Sequence, residues 1–173
     1  MDPEVEDFSK VKIAAEKTRK LLKEDLGLPV YLMTTGSRGL HIVVPLKRTR
    51  DFDEVREFAQ SAADFLEKEN PELLTTAARK NKREGKIYLD VGRNAYGQTG
   101  VSPYAVRPVK GAPVATPLEW DELKESSLSP KSYDIKNIFK RLEEKGDPWK
   151  SIEASGVTLT AAIKRLAKMS GSQ

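Results

Sequence analysis

One short stretch of the sequence carries residue types that commonly bind phosphate. Residues 34–46 read TTGSRGLHIVVPL, with an arginine between two glycines just ahead of the single histidine of the chain. Backbone N–H groups of a glycine-rich turn can approach an anion closely, and a neighbouring guanidinium can bind two phosphate oxygens at once. Hydroxyl groups add further donors. Thr35, Ser37, Arg38 and His41 therefore form a candidate cradle for nucleotide phosphates.

The same stretch also fits a plain β-hairpin. Glycines would then provide the positive φ angles of the turn, and His41 would be a partly buried strand residue. Short glycine-rich motifs recur by chance, so the residue types alone favour this simpler interpretation. The other chemistry-bearing residues of the chain must decide between the two.

Two carboxylates are candidate metal ligands. Asp90 ends the apolar stretch KIYLD, and a carboxylate at a strand end either binds a metal ion or caps the next turn. Asp2, followed by Pro3, is the second candidate, or else an ordinary acidic residue near a terminus. The sequence has no cysteine and one histidine, so a thiol-based or multi-histidine metal site is excluded. Any metal held mainly by carboxylates would be Mg²⁺ or Mn²⁺.

A basic segment, ARKNKREGK, precedes the Asp90 stretch. It is either a nucleic-acid contact or a solvated loop, and the second interpretation is the commoner one. The net charge of +4 and the pI of about 9.2 are compatible with a phosphate-bearing partner without requiring one. The candidate DNA-binding residues of the basic segment are Arg79, Lys80 and Lys82, and Arg83 follows them.

The elements that would position these residues alternate between helices and strands. Helical spacing of apolar residues predicts one helix from Phe8 to about Leu26 and a second from about Asp53 to Asn70. The stretches VYLMT and LHIVVPL predict two strands joined by the glycine loop, and IYLDV predicts another. We expect an α+β fold with a small mixed or antiparallel sheet flanked by helices.

The second half of the chain predicts shorter helices. TPLEWDEL is expected to be a helix with Thr116 as its cap and Pro117 in its first turn. A further helix is expected after Asp134, with Ile135, Ile138, Phe139 and Leu142 on its apolar face and Gly146 as its end. The sequence between residues 92 and 116 is rich in glycine and proline and predicts a loop. The tail predicts one more short helix around LTAAIKRLAKM.

Taken together, the separated motifs resemble a known family. TTGSRGLHIVVPL, KIYLDVGRNAYGQTGVSPYAVRPVKGAPVATPLEWDEL and EKGDPW are similar, in the same order, to the polymerase domain of bacterial and archaeal DNA ligase D. That domain belongs to the archaeo-eukaryotic primase superfamily, which has an RRM-like catalytic core. The resemblance runs from Asp2 to about Trp149. It implies a primase/polymerase-like domain over residues 1–150, followed by a helix and tail over residues 151–173.

The resemblance implies roles for individual residues. Asp2 matches the second aspartate of an Asp-hydrophobic-Asp-Pro motif and Asp90 matches a later aspartate, which together hold two divalent ions. Thr35 to His41 match the segment that contacts the triphosphate of the incoming nucleotide, with Thr35 in place of the usual serine. Arg107 and Arg83 match basic positions at the nucleotide site.

The resemblance also implies a function and partners. The implied function is that of a template-dependent nucleotidyl transferase that uses Mn²⁺ or Mg²⁺ in non-homologous end joining. Its partners would be broken or gapped DNA and nucleoside triphosphates, ribonucleotides included, together with Ku and a DNA ligase. No apolar run approaches the ~20 residues of a membrane span, so a cytoplasmic protein is expected, and the resemblance implies that it associates with the nucleoid.

The sequence departs from the family at its start. The first aspartate of the paired motif is absent, because Met1 stands where the residue between the two aspartates would be. Impaired catalysis is therefore expected, since fewer carboxylates bring two divalent ions together less well. The alternatives are a non-catalytic nucleotide- or DNA-binding module that keeps the phosphate cradle, and a basic structural domain whose glycine loop is only a hairpin.

Overall fold

The fold, taken from a computed structural model that describes residues 8–171, begins with a helix on a sheet. Helix α1 covers Phe8–Arg19 and continues as a π-helical turn over Lys20–Asp25. Its buried side chains, Val11, Ala14, Ala15 and Thr18, follow the helical spacing seen in the sequence. The first predicted helix is therefore confirmed, with a wider final turn than the sequence indicated.

The two strands around the glycine loop form the antiparallel hairpin that the sequence predicts. Strand β1 covers Tyr31–Thr34 and strand β2 covers Leu40–Val43, with Met33 opposite His41. Strand β5, Pro117–Leu118, pairs antiparallel with the other edge of β1. The order β2-β1-β5 makes β1 the central strand of this sheet. An α+β fold with a small antiparallel sheet is thus confirmed.

Helix α2 covers Phe52–Glu69 and begins at a capping box. The Asp51 carboxylate accepts a hydrogen bond from the Glu54 N–H at 2.9 Å, and the Glu54 carboxylate accepts one from the Asp51 N–H at 3.1 Å. These two bonds satisfy backbone donors that a helix start leaves unpaired. At the other end the Asn70 side chain donates to the Leu66 carbonyl at 3.0 Å, where the sequence predicts the stop.

A second, two-stranded sheet follows α2 and leads to Asp90. Strand β3, Leu74–Thr75, pairs in parallel with strand β4, Ile87–Tyr88. The basic segment connects these strands and contains a 3₁₀ turn over Lys80–Lys82. Asp90 lies two residues beyond β4, at the end of the stretch expected to be a strand.

The predicted helix around TPLEWDEL is wrong in its first half. Thr116 and Pro117 are fully buried, and Pro117 lies in β5 opposite Met33 rather than in a helical turn. The Thr34 hydroxyl accepts a hydrogen bond from the Thr116 N–H at 3.1 Å, which ties this segment to the end of β1. Only Trp120–Lys124 is helical, as a 3₁₀ turn. Pairing with β1 therefore overrides the local signal for a helix start.

Helix α3, Ile138–Lys145, begins later than expected and buries a different face. Asp134 caps the turn before it, accepting from the Lys136 and Asn137 N–H groups at 2.8 and 3.2 Å. Ile135 and Phe139, expected on the apolar face, are exposed, whereas the helix buries Ile138 and Arg141. The reason is a buried partner for the arginine, since Arg141 donates to the Glu122 carboxylate at 2.7 Å.

The final helix packs on the same core as the rest. Helix α4 covers Thr160–Gly171, and its Ala162 and Leu166 are buried in one cluster with side chains of α1, α2 and β1. The Arg165 guanidinium donates to the Leu26 carbonyl at 2.9 Å and closes the end of the first helical segment. No helix within residues 8–171 combines the length and the apolarity that crossing a bilayer requires.

Candidate nucleotide site

The glycine loop between β1 and β2 is organised by the Thr35 hydroxyl. That hydroxyl donates to the Gly39 carbonyl at 3.1 Å and accepts from the Ser37 and Gly39 N–H groups at 3.3 and 3.2 Å. Two loop amides are therefore bound to Thr35 itself rather than directed at a ligand. Thr35 shapes the loop, while Ser37 and Arg38 are left as its outward-facing donors.

Arg107 reaches the same place from a hairpin in the proline-rich segment. Its N–H donates to the Pro113 carbonyl at 2.8 Å, and Val106 pairs with Val114 across the hairpin. The Val114 N–H in turn donates to the Tyr133 carbonyl at 2.8 Å. The segment that the sequence predicts to be a loop is thus held by hydrogen bonds within its own hairpin and to Tyr133. It places Arg107 beside the glycine loop.

His41 lies on β2, one residue into the strand that follows the loop. Burial, reinforced by the charges of Arg107 and Arg93 and opposed by that of Asp90, lowers the pKa of His41 from 6.5 to about 4. The imidazole is therefore neutral near pH 7. A neutral imidazole can still donate one N–H to an anionic oxygen, but it adds no positive charge of its own.

These residues line one cavity of about 930 Å³. Its charged lining consists of Arg38, Arg93 and Arg107 against the carboxylate of Asp90, with Ser37 and His41 beside them. Among described residues, no hydrogen bond or ion pair engages the Arg38 guanidinium. The excess of cations in a partly enclosed space favours a ligand with several negative charges. Apolar side chains of β2 and α2 line the rest of the cavity, between the sheet and the helix.

Comparison with known proteins identifies the family. Residues 1–149 match the family described as LigD, primase-polymerase domain. This chain belongs to that family. The match covers the glycine loop, the Asp90 segment and the Arg107 hairpin, which supply the charged residues of the cavity lining.

Relatives of the LigD primase-polymerase family agree with this assignment. The chain is 32% identical over 167 residues to the multifunctional non-homologous end joining protein LigD of Pseudomonas aeruginosa, covering 95% of this chain and 20% of that protein. It is 32% identical over 148 residues to the bifunctional non-homologous end joining protein LigD of Bacillus subtilis, covering 85% of this chain and 24% of that protein. The chain thus spans about a quarter or less of these relatives.

A solved structure of the LigD family shares the fold. The polymerase domain from Mycobacterium tuberculosis ligase D, determined in complex with DNA, superposes with a TM-score of 0.81 at 28% identity. The superposition covers 90% of this chain and 53% of that one. The small antiparallel sheet and its flanking helices are therefore the architecture of a LigD polymerase domain.

Asp90 stands at the mouth of the cavity in this LigD-family chain. Its carboxylate is exposed and accepts one hydrogen bond, from the Gly92 N–H at 3.0 Å, so much of its coordinating capacity is open. Within residues 8–171 no three carboxylate or histidine side chains converge as a metal site. Asp2, the other expected ligand, lies outside the described residues. The described residues alone therefore supply one oxygen ligand and not a complete metal centre.

Arg83, which the resemblance assigns to the nucleotide site, is buried within the basic segment. It is 6% exposed, its guanidinium donates to the Ala77 and Ala78 carbonyls at 3.2 and 2.9 Å, and it stacks 4.1 Å from the Tyr88 ring centroid. It does not line the cavity. Arg83 thus folds the basic segment back on itself, and the exposed cations of that segment are Arg79, Lys80 and Lys82.

The sequence reasoning missed Arg93. This residue lines the main cavity and also a second depression of about 400 Å³, and Asp90 lines both spaces as well. The signal was available, because Arg93 lies three residues beyond Asp90 and next to Asn94, which also lines the cavity. The charge of Arg93 makes the region around Asp90 more attractive to phosphate than the sequence alone suggested.

Proposed function

We propose that this chain acts as a template-dependent nucleotidyl transferase in repair of DNA double-strand breaks by non-homologous end joining. The observation that carries the proposal is the cavity in which Arg38, His41, Arg107 and Asp90 converge from three separate segments. Membership of the LigD primase-polymerase family supports the same activity. The solved relative in complex with DNA supports a DNA partner.

The residues have distinct proposed roles. Arg38 and Arg107 bind the triphosphate of the incoming nucleotide and neutralise charge that builds up on it during transfer. His41, neutral at pH 7, donates an N–H to a phosphate oxygen, and Ser37 donates its hydroxyl. The exposed carboxylate of Asp90 binds a divalent ion, Mn²⁺ or Mg²⁺, together with Asp2. Such ions assist the attack of a primer hydroxyl and the departure of pyrophosphate when they are bound.

The further partners follow from the family. We propose that Arg79, Lys80 and Lys82 contact the DNA backbone, that ribonucleotides are accepted, and that Ku and a DNA ligase act with this domain. The proposed location is with DNA in the bacterial or archaeal nucleoid. Each of these statements extends the activity of the relatives to this chain.

A second candidate is a nucleotide-binding module without catalysis. The observation that favours it is the single carboxylate, Asp90, that the described residues bring to the cavity. Its phosphate-binding side would be unchanged, because Arg38, His41 and Arg107 need no metal to bind an anion. The two candidates differ only in whether bound nucleotide is transferred.

The decisive experiment is single-nucleotide addition on a gapped duplex, in Mg²⁺ and separately in Mn²⁺. Catalysis predicts addition that Asp90→Asn abolishes, while nucleotide affinity measured without metal changes little in that variant. Exposed Asp25, which does not line the cavity, provides the matched control Asp25→Asn. Nucleotide binding with no addition in either metal selects the non-catalytic module.

A further inference from the structure

Two aromatic rings stand exposed together beside the cavity. Phe52, the first residue of α2, is 56% exposed, and Tyr96 is 81% exposed. Their ring centroids are 5.6 Å apart with an angle of 77° between the planes. This edge-to-face contact holds the rings against each other while leaving most of the Tyr96 ring open to solvent. Single exposed apolar residues are ordinary, but a mutually ordered aromatic pair outside the core needs a reason.

The aromatic pair adjoins a cationic depression. Arg56, one turn beyond Phe52 on α2, lines this depression of about 400 Å³ together with Arg93 and Gln98, and Tyr96 directly follows another lining residue. Arg93 donates to the Gln98 side chain at 3.3 Å. No ion pair with a described residue neutralises either arginine. The depression therefore offers two guanidinium groups and an amide, against the one carboxylate of Asp90, next to two exposed rings.

The depression also communicates with the nucleotide cavity. Asp90 and Arg93 line both spaces, so a chain of phosphates could run from the cavity past Arg93 to the aromatic pair. Carboxylates at the start of α2 limit where the phosphates can lie. Asp51 and Asp53 flank Phe52, so the phosphates must lie on the side of Arg56 and Arg93.

The chemistry of this surface matches an unpaired nucleotide strand. Aromatic rings stack on unpaired bases of any sequence, and neighbouring cations bind the connecting phosphates. We propose that Phe52 and Tyr96 form a stacking platform for an unpaired base of a nucleic-acid strand whose backbone is held by Arg56 and Arg93. This inference rests on the proposed nucleic-acid function of the cavity and adds a single-stranded segment as its partner.

A protein partner fits this surface less well. A protein interface would need a broader apolar area than two rings, and here cations, an amide and carboxylates surround them. An unpaired base is the favoured partner because an open aromatic face lies next to two guanidinium groups that form no ion pair with a described residue. Self-association through the rings remains a measurable alternative.

The test compares variants for binding of a short fluorescent oligothymidylate by anisotropy. Tyr96→Ala and Phe52→Ala should each weaken binding on the order of tenfold, as loss of base stacking does elsewhere. Tyr96→Phe should retain it. Phe139, which is 70% exposed on α3 and lines neither space, provides the matched control Phe139→Ala and should bind as the parent chain does.

An abasic oligonucleotide of the same length separates bases from phosphates. The parent chain and Tyr96→Ala should bind it equally, whereas Arg56→Gln with Arg93→Gln should weaken binding of both oligonucleotides. Unchanged oligothymidylate affinity in both aromatic variants would overturn the platform. A concentration-dependent dimer in sedimentation that Tyr96→Ala dissolves would also overturn it, in favour of self-association.

Nucleotide binding distinguishes this inference from the proposed function. Labelled ATP should bind Tyr96→Ala as tightly as the parent chain and Arg38→Ala more weakly. If that pattern holds while oligothymidylate binding is insensitive to Phe52 and Tyr96, the platform is wrong and the nucleotide site stands. If the parent chain binds neither ATP nor the oligonucleotide, both the inference and the proposed function are wrong. Both substituted rings are exposed, and circular dichroism checks that the variants are folded.

Discussion

Gly36 in the glycine loop lies directly against the side chain of Arg107. A Cβ at position 36 would lie 2.7 Å from the Arg107 Cγ and 3.1 Å from the Ala115 backbone nitrogen. Gly36 also has a φ of +64°, which disfavours any side chain. The close approach means that the position of the glycine loop fixes the position of Arg107, so the two phosphate-binding segments form one unit.

Substitution Gly36→Ala should therefore damage the site beyond its effect on stability. The left-handed backbone alone costs about 1–2 kcal/mol in an L-residue. The added methyl group must also displace Arg107, so nucleotide affinity should fall. Gly146→Ala is the control for backbone strain without a clash, because Gly146 has a φ of +71°, a ψ of −170° that other residues rarely adopt, and open space at its Cβ position. Both variants should lose stability in urea unfolding, and only Gly36→Ala should lose nucleotide binding. Equal nucleotide affinities of the two variants would show that Arg107 is not held by this contact.

Arg38→Ala should weaken nucleoside triphosphate binding by about 1.5–3 kcal/mol, the value of a hydrogen bond to a charged group. His41→Ala should weaken it as well, and by less, because the neutral imidazole contributes no net charge. Exposed Arg48, which does not line the cavity, provides the control Arg48→Ala. Titration calorimetry or anisotropy measures each affinity. Identical affinities in Arg38→Ala, Arg48→Ala and the parent chain would refute the phosphate cradle.

DNA binding should weaken steeply as salt rises, because phosphate contacts by Arg79, Lys80 and Lys82 release counterions. Lys80→Ala should reduce the slope of log affinity against log salt concentration by about 1. Lys136 on the turn before α3 is also exposed, and Lys136→Ala should leave the slope unchanged. The measurement is anisotropy of a labelled duplex over a range of salt concentrations, and a flat salt dependence would remove this segment from the DNA interface.

The buried pair of Glu122 and Arg141 should respond unequally to loss of either partner. Glu122 accepts from the Arg141 guanidinium at 2.7 Å, the Glu119 N–H at 2.7 Å, the Tyr133 hydroxyl at 2.9 Å and the Lys145 ammonium at 3.3 Å. Arg141 has two buried nitrogens, Nε and Nη1, without a hydrogen-bond partner. The Glu122 carboxylate thus accepts hydrogen bonds from four donors. One of these donors is the Arg141 side chain, and the carboxylate keeps three other donors without it.

Glu122→Gln should therefore destabilise the fold by about 3–5 kcal/mol, since it leaves a buried guanidinium without its counter-charge. Arg141→Met should cost less, because three donors still surround the carboxylate. Burial acts to raise the pKa of Glu122, but the Glu119 N–H and the Arg141 guanidinium outweigh it and lower the pKa. The stabilisation is thus present at neutral pH and lost in acid. Urea unfolding at pH 7 ranks the two variants, and the reverse order would contradict this account.

The stability of the fold should fall as His41 is forced to ionise. Its pKa is lowered from 6.5 to about 4 in the folded chain, so the unfolded chain binds more protons between those values. Stability from this residue is present above about pH 6.5 and is lost as the pH falls towards 4. His41→Gln should flatten that part of the curve of unfolding free energy against pH. Parallel curves for the parent chain and the variant would show that burial does not control this histidine.

The parts of the fold around the candidate site that the sequence predicts correctly are those set by local patterns. The loop, its two strands and the position of His41 follow from glycine spacing and from a run of strand-forming residues. Asn70 marks the end of α2 through a hydrogen bond to a carbonyl four residues earlier. Such signals survive folding because distant partners do not compete with them.

The parts that the sequence mispredicts depend on distant partners. Pro117 pairs with β1 across 84 positions of sequence, and Arg141 is buried because Glu122 lies opposite it. Arg83 is bound by the Tyr88 ring and by nearby carbonyls, contacts that its charge alone does not indicate. A local pattern of residue types does not predict such contacts, because they depend on which distant elements pack together in the fold.

Both tryptophans of the chain are hydrogen-bonded to the central strand β1 or to the residue just before it. The Trp120 indole donates to the Val30 carbonyl at 2.8 Å, and the Trp149 indole donates to the Leu32 carbonyl at 3.1 Å. Neither lines the nucleotide cavity. Tryptophan emission therefore reports the integrity of the sheet around β1 and should change little when a ligand enters the cavity, so intrinsic fluorescence separates unfolding from binding in this protein.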